Sequence, residues 1–198
     1  MKLIGTISGK VNPTQFNIEL STTNVEKGSF IKVNHETYGW VLARIDNLNR
    51  YMDNKGEEVL MASAYTVGYK SENQILIPKT PFKPEARVYS ADKQLIMDVM
   101  GLKKVRTNNI YLGLLEGHDI PVYLDINKSI GKHMSVLAKT GAGKSYTVGV
   151  ILEELLKSDF PIVVIDPHGE YGSLRYENDD YDSMLKFNVK PKSYASQI

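Results

Sequence analysis

The sequence predicts a mixed fold, a small all-β module followed by an α/β domain, and three observations carry that prediction. The N-terminal residues break into short β-prone runs separated by Asn-Pro, Lys-Gly and Asn-Lys-Gly turns. Residues 78–84 hold three prolines in seven positions. Residues 120–165 read as strands flanking an amphipathic helix. The 198-residue chain is 42% hydrophobic and 24% charged, an ordinary globular balance with enough apolar side chains for one medium core or two small ones.

Taken in order, the runs 3–7, 16–20, 30–33, 40–45, 64–69 and 75–77 are candidate strands. Phe16, Ile18 and Leu20 alternate with polar neighbours, as do Ile31 and Val33, the period of a strand with one buried face. Five or six such strands in so short a stretch fit a small barrel or a sandwich. Residues 50–63 carry no clear period and read as a loop excursion or a short helix. The run 78–84 reads as a linker, because proline holds the preceding residue extended and withholds a ladder donor. Beyond it, 87–89 fit a strand. Residues 91–100 fit a short helix with Leu95, Ile96, Val99 and Met100 at helical spacing, Ser90 as cap and Gly101 as stop.

The α/β part then reads as a strand at 120–126, a second at 134–138, a helix at 144–157 and a continuous apolar strand at 161–165, of the kind that parallel sheets bury on both faces. Strand, helix, strand in that order is a βαβ unit.

Composition removes several function classes. Cysteine is absent, so thiolate zinc sites, iron–sulfur clusters, disulfide scaffolds and cysteine nucleophiles are excluded. The N-terminus has too short and interrupted an apolar stretch for a signal peptide, and no apolar run approaches the ~20 residues of a membrane helix, so a cytoplasmic location without membrane contact is expected. Charge is nearly balanced, with 24 Lys and Arg against 23 Asp and Glu, which gives no electrostatic footprint for nucleic acid. His35 and His118 are isolated, His133 reads as structural, and Trp40 reads as core. No His, Asp or Glu spacing fits a metal site by itself.

The chemistry concentrates at Ala138-Lys-Thr-Gly-Ala-Gly-Lys-Ser145. This is the Walker A spacing with alanine at its first glycine, set between a predicted strand and a predicted helix. Thr140, Gly141, Ala142, Gly143, Lys144, Ser145 and Tyr146 are the expected nucleotide-binding residues. Glycines let successive N–H groups converge on phosphate oxygens, Lys144 supplies a point charge to the β- and γ-phosphates, and the Ser145 hydroxyl is placed to hold Mg²⁺. The helix that starts there turns its positive end toward the anion. ATP and Mg²⁺ are the expected cofactors. The strand at 161–165 ends in Asp-Pro-His-Gly-Glu-Tyr, residues 166–171. Apolar residues followed by Asp166 look like a Walker B carboxylate, but only 22 residues separate it from Lys144, which makes this the next strand after the loop. His168, between Pro and Gly, reads as a turn residue.

The pair AKTGAGKS and VVIDPHGEY, behind a β-rich module, resembles the HerA family of hexameric DNA translocases, relatives of FtsK. The resemblance implies a small all-β barrel at 1–85, a linker with a short helix at 86–109, and a truncated α/β RecA-like P-loop domain at 110–198. It implies that Glu170, 26 residues past Lys144, acts as general base or positions the attacking water, while Asp166 supports the magnesium shell or the P-loop. Catalytic roles are thus expected for Glu170, Asp166 and Lys144, and metal contacts for Ser145 and Asp166.

The same resemblance implies an ATP-driven DNA helicase that resects double-strand breaks with a NurA-type nuclease, as a homo-hexamer on DNA. Only 54 residues follow Lys144, so the later carboxylates, the sensor and the arginine finger are expected beyond residue 198, and the chain alone is expected not to hydrolyse ATP. Two alternatives stay open: another P-loop enzyme, against which the absence of an Asn-Lys-x-Asp motif after the loop excludes a GTPase, and a non-enzymatic assembly or nuclease-docking module.

Overall fold

The computed structural model describes residues 1–72, 74–102, 108–129, 131–158 and 160–198. The chain divides into two compact units, Met1–Leu102 and Lys103–Ile198. Of the stretch 86–109 expected as a linker, residues 103–107 lie outside the described residues.

In the first unit the alternating runs become β1 (Leu3–Ser8), β2 (Gln15–Leu20), β3 (Phe30–His35), β4 (Gly39–Met52), β5 (Glu58–Ser71), β6 (Gln74–Leu76) and β7 (Arg87–Ser90). Hydrogen bonding follows the order β2, β1, β7, β3, β4, β5, and β5 pairs back onto β2, so six antiparallel strands close into a barrel. Closure gives each of these strands two neighbours over the paired residues and removes the open edge that invites aggregation. Ile7, Phe16, Ile18, Val33, Val41, Ile45, Ala64 and Val88 fill the interior, each at 1% exposure or less. Gly5 is required where β1 and β2 touch, because a Cβ there would lie 2.2 Å from the Glu19 carbonyl oxygen.

Two readings of the sequence change here. Residues 50–63 are neither loop nor helix: β4 and β5 run through them as one long hairpin, turned by Asp53, whose carboxylate accepts the N–H groups of Lys55 and Glu57 at 2.8 and 2.9 Å. Register shifts after Leu42 and Ile45 bend β4, which lets it curve with the barrel before running on beyond it. The proline-rich segment is not a detached linker either. Its Phe82 is 3% exposed, edge-on to Phe16 at 5.0 Å and to His35 at 5.3 Å, and β7 follows as a barrel strand between β1 and β3. Proline made the segment extended, and one aromatic side chain was enough to hold it on the core.

Helix α1 (Lys93–Met100) buries Ile96 and Val99 and ends at Gly101 as expected, but its cap is Asp92, not Ser90, with the carboxylate accepting from Leu95 N at 3.0 Å. The same carboxylate accepts from Lys32 Nζ at 2.5 Å. Lys32 is buried in the barrel wall and its ammonium lies 4.8 Å from the centre of the Trp40 ring. One carboxylate therefore caps α1 and neutralises a buried cation.

The second unit opens with a hairpin, β8 (Asn109–Leu114) and β9 (Pro121–Asp125), then α2 (Ile126–Ser129), α3 (Lys144–Lys157), a 3₁₀ turn at Gly172–Arg175 and α4 (Tyr181–Leu185). Helix α3 has the boundaries expected for it. Ile151 and Leu155 on its buried face meet Ile110 and Ile126, with Leu112, Leu124, Val136, Phe160 and Ile162 packed around them. The expected parallel βαβ unit is not formed. Neither 134–138 nor 161–165 joins a ladder among the described residues, and Val163 and Ile165 are 91% and 88% exposed. A parallel strand takes its hydrogen bonds entirely from neighbouring strands, and without them an apolar run packs by single side chains, here Val136 and Ile162. A RecA-like sheet is therefore absent from the described residues. No described helix is long and apolar enough to cross a membrane.

Lys32→Ala should destabilise the barrel by about 1–3 kcal/mol in urea unfolding, because it removes the contact to Trp40 and leaves Asp92 with the helix cap alone. The Lys32 hydrogen bond, then the Leu95 N–H, hold the Asp92 carboxyl below its ordinary value. A depressed carboxyl contributes stability that is complete above about pH 4 and is lost as pH falls through the lower folded value. Asp92→Asn should flatten that acid limb of the barrel's stability profile.

Candidate functional site

The site begins where the chain enters α3. Residues 139–142 form a tight turn in which Ala142 N–H donates to the Lys139 carbonyl at 3.1 Å. Gly141 and Gly143 follow with φ of 78° and 87°, angles that disfavour a side chain, and a Cβ at either would meet no protein atom within 4 Å. Gly143 caps α3 without a side-chain acceptor, so the first-turn N–H groups are offered to whatever lies in front of the helix. Thr147 closes the turn from behind, its N–H and hydroxyl both donating to Gly143 O, at 3.0 and 3.2 Å. Thr140, Ala142, Lys144 and Tyr146 are exposed, Tyr146 to 84%, and Ser145 is half-buried.

The second sequence-predicted group arrives from the 166–171 turn. Ser145 Oγ donates to Glu170 Oε2 at 2.6 Å, the short distance typical of a hydroxyl on a carboxylate. Asp166 goes elsewhere: its Oδ2 accepts from Tyr171 N at 2.9 Å, and its carbonyl accepts from Gly169 N at 3.3 Å. The Tyr171 N–H holds the Asp166 carboxyl below its ordinary value, helped by the N–H groups of Glu170, His168 and Gly169. The structure thus joins Ser145 and Glu170 and gives Asp166 to its own turn. His168 is exposed in that turn.

What holds α3 in place includes a residue that sequence reasoning passed over. Glu154 accepts from Tyr111 N on β8 at 3.0 Å and from Lys157 Nζ at 2.6 Å. The alternation of Ile110, Leu112 and Leu114 was the available signal for β8. Beside Glu154, burial pushes the Glu153 carboxyl up, with Lys157 acting against it. A groove of about 1120 Å³ runs along α3, bordered by Ser145, Tyr146, Glu153, Glu170 and Tyr171. Tyr194 is 1% exposed, its hydroxyl has no hydrogen-bond partner among the described residues, and burial with the charges of Glu153 and Glu154 pushes it up to about 12.

Residues 110–196 match the model of the HerA helicase central domain. This chain belongs to the HerA family. Over 180 residues, 87% of this chain and 32% of the relative, the HerA-family sequence is 32% identical to a probable DNA double-strand break repair helicase HerA of Methanocaldococcus jannaschii. It is 27% identical over 199 residues, 88% of this chain and 35% of the relative, to the DNA double-strand break repair helicase HerA of Pyrococcus furiosus. A HerA helicase of Saccharolobus solfataricus is 30% identical over 122 residues, 61% of this chain and 22% of the relative. The chain spans about a third or less of the length of these curated relatives.

Because the Tyr194 hydroxyl is buried without a partner among the described residues, Tyr194→Phe should leave the second unit as stable as before or raise its stability by up to about 1 kcal/mol, whereas Tyr194→Ala should cost about 3–5 kcal/mol. Urea unfolding followed by a probe in the second unit reads both.

Proposed function

We propose that this chain carries the ATP-binding part of a DNA helicase or translocase of double-strand break repair. The observation that carries the reading is the Ser145 to Glu170 hydrogen bond at the mouth of a glycine-capped helix. It joins a Walker A hydroxyl to the acidic residue that the family resemblance assigns to water.

The residues fit Mg·ATP. The uncapped first turn of α3 offers N–H donors and the positive end of the helix dipole to an anion. The exposed Lys144 adds a mobile ammonium. The Ser145 hydroxyl donates its hydrogen bond to Glu170, which leaves the oxygen's lone pairs for a divalent cation. When bound, Mg·ATP supplies the phosphoanhydride whose cleavage drives movement along DNA. With Oε2 on Ser145, Glu170 has its other carboxylate oxygen to orient a water. In this reading Gly141, Ala142 and Gly143 shape the anion cradle, with Thr140 and Tyr146 at its edges.

The wider proposal takes its partners from the family resemblance and from the names of the relatives: a homo-hexamer around DNA, working with a NurA-type nuclease in end resection, with the barrel serving ring assembly or nuclease docking. Those steps belong to the whole protein, of which this chain matches a part. The apolar run 161–165, which joins no ladder among the described residues, favours a second reading, a docking module without turnover of its own.

Binding of a fluorescent ATP analogue with Mg²⁺ tests the nucleotide site. Lys144→Ala should weaken it at least about tenfold, while Glu170→Gln should leave affinity within a few-fold and slow any DNA-stimulated hydrolysis about a hundredfold or more. Wild-type protein that binds no nucleotide overturns the reading. No turnover on DNA together with retained binding of a NurA-type nuclease supports the docking module.

A further inference from the structure

We propose that Asp166 is a positioning residue, which closes the 166–171 turn and thereby holds Glu170 against Ser145. This rests on the nucleotide-site reading for its consequence, and on the geometry of the turn for its substance.

Asp166 binds the turn at two points that bracket Glu170 on either side. Its main-chain carbonyl accepts from Gly169 N at 3.3 Å, and its carboxylate Oδ2 accepts from Tyr171 N at 2.9 Å. Gly169, at φ 68°, is the left-handed residue that lets the chain double back after Pro167. With its neighbours on both sides tied to one residue, Glu170 has few backbone directions left, and its side chain reaches Ser145 Oγ at 2.6 Å.

The carboxylate of Asp166 is thus committed to its own turn. Its Oδ2 faces the Tyr171 N–H, and the N–H groups of His168, Gly169 and Glu170 also favour its charged form. That hydrogen bond turns the carboxylate toward its own backbone. The structure therefore assigns Asp166 an action through Glu170, in place of the magnesium contact that its position after an apolar run suggests. The requirement is for an acceptor at that spot, which an asparagine side chain also supplies; a magnesium ligand, by contrast, would hold the cation more weakly without the charge.

Two measurements on the protein separate these roles. Amide hydrogen exchange at Tyr171 reports the turn without any nucleotide. Asp166→Ala should speed it at least tenfold, and Asp166→Asn should stay within about threefold of wild type. A fluorescent ATP analogue titrated with Mg²⁺ reports the site: the Asn variant should keep the wild-type Mg²⁺ requirement within twofold. The change in Mg²⁺ requirement that Asp166→Ala causes should vanish in a Glu170→Gln background, because the residue acts through Glu170. A tenfold rise in Mg²⁺ requirement for Asp166→Asn, with Tyr171 still protected, would make Asp166 a metal ligand and overturn the proposal. Unchanged Tyr171 exchange in Asp166→Ala overturns it as well. If the wild type binds no nucleotide, the functional reading fails while the exchange measurement still decides the turn. The Asn variant keeps the test decisive should the Ala variant fail to fold.

Discussion

The contact of Ile151 and Leu155 with Ile110 and Ile126 is the constraint on which the second unit's site depends. It presses one face of α3 onto the β8–β9 hairpin and fixes the axis of the helix. Once the axis is fixed, the direction of the first-turn N–H groups is fixed too, because they lie along it. Glu154 adds a polar lock at the same face by taking the Tyr111 N–H, a donor that would otherwise be left unpaired on β8. The cradle in front of Gly143 is therefore set by side chains that never approach it.

The turn at 166–171 is the complementary part. The loop before α3 supplies donors and a cation, and the turn supplies a carboxylate that meets Ser145 from the other side. Ser145 is the one residue that faces both, as a hydroxyl can donate to Glu170 and still present lone pairs elsewhere. In the proposed nucleotide site, that dual capacity accounts for a hydroxyl residue at this place in the loop. An alanine would leave Glu170 without its partner, and a carboxylate would repel it.

The barrel solves a different problem. An open sheet of these six strands would expose two edges; the β2–β5 pairing closes it instead. The side chains that make closure rigid are not all apolar. Lys32 and Asp92 form an ion pair between wall and helix cap. His35 sits among Phe82 and Tyr38, with Nδ1 accepting from Thr37 N at 3.1 Å and Nε2 at 3.2 Å from the Thr80 carbonyl oxygen. The tautomer that satisfies both contacts carries its proton on Nε2, so the imidazole serves as a bridge between β3 and the proline-rich segment.

Local pattern by itself determined the barrel strands, helix α3 to the residue, the stop of α1 at Gly101 and the glycine-rich loop, because each follows from neighbouring side chains: period two, period 3.6, or a run of glycines before a lysine. It misjudged 50–63, where strand register comes from a partner sixteen or fewer residues away across a turn, and 78–84, where Phe82 outweighed three prolines. It also read 161–165 as a buried strand from its apolar composition, which says what a segment can bury but not whether a neighbour is present to pair with it. At the site, residue types and spacing named Ser145, Glu170 and Asp166, yet could not distribute their bonds. Only the tertiary structure decided that Glu170 takes Ser145 while Asp166 takes the Tyr171 N–H, since hydrogen bonds depend on ångström distances that two stretches of chain acquire only when α3 and the turn are packed together.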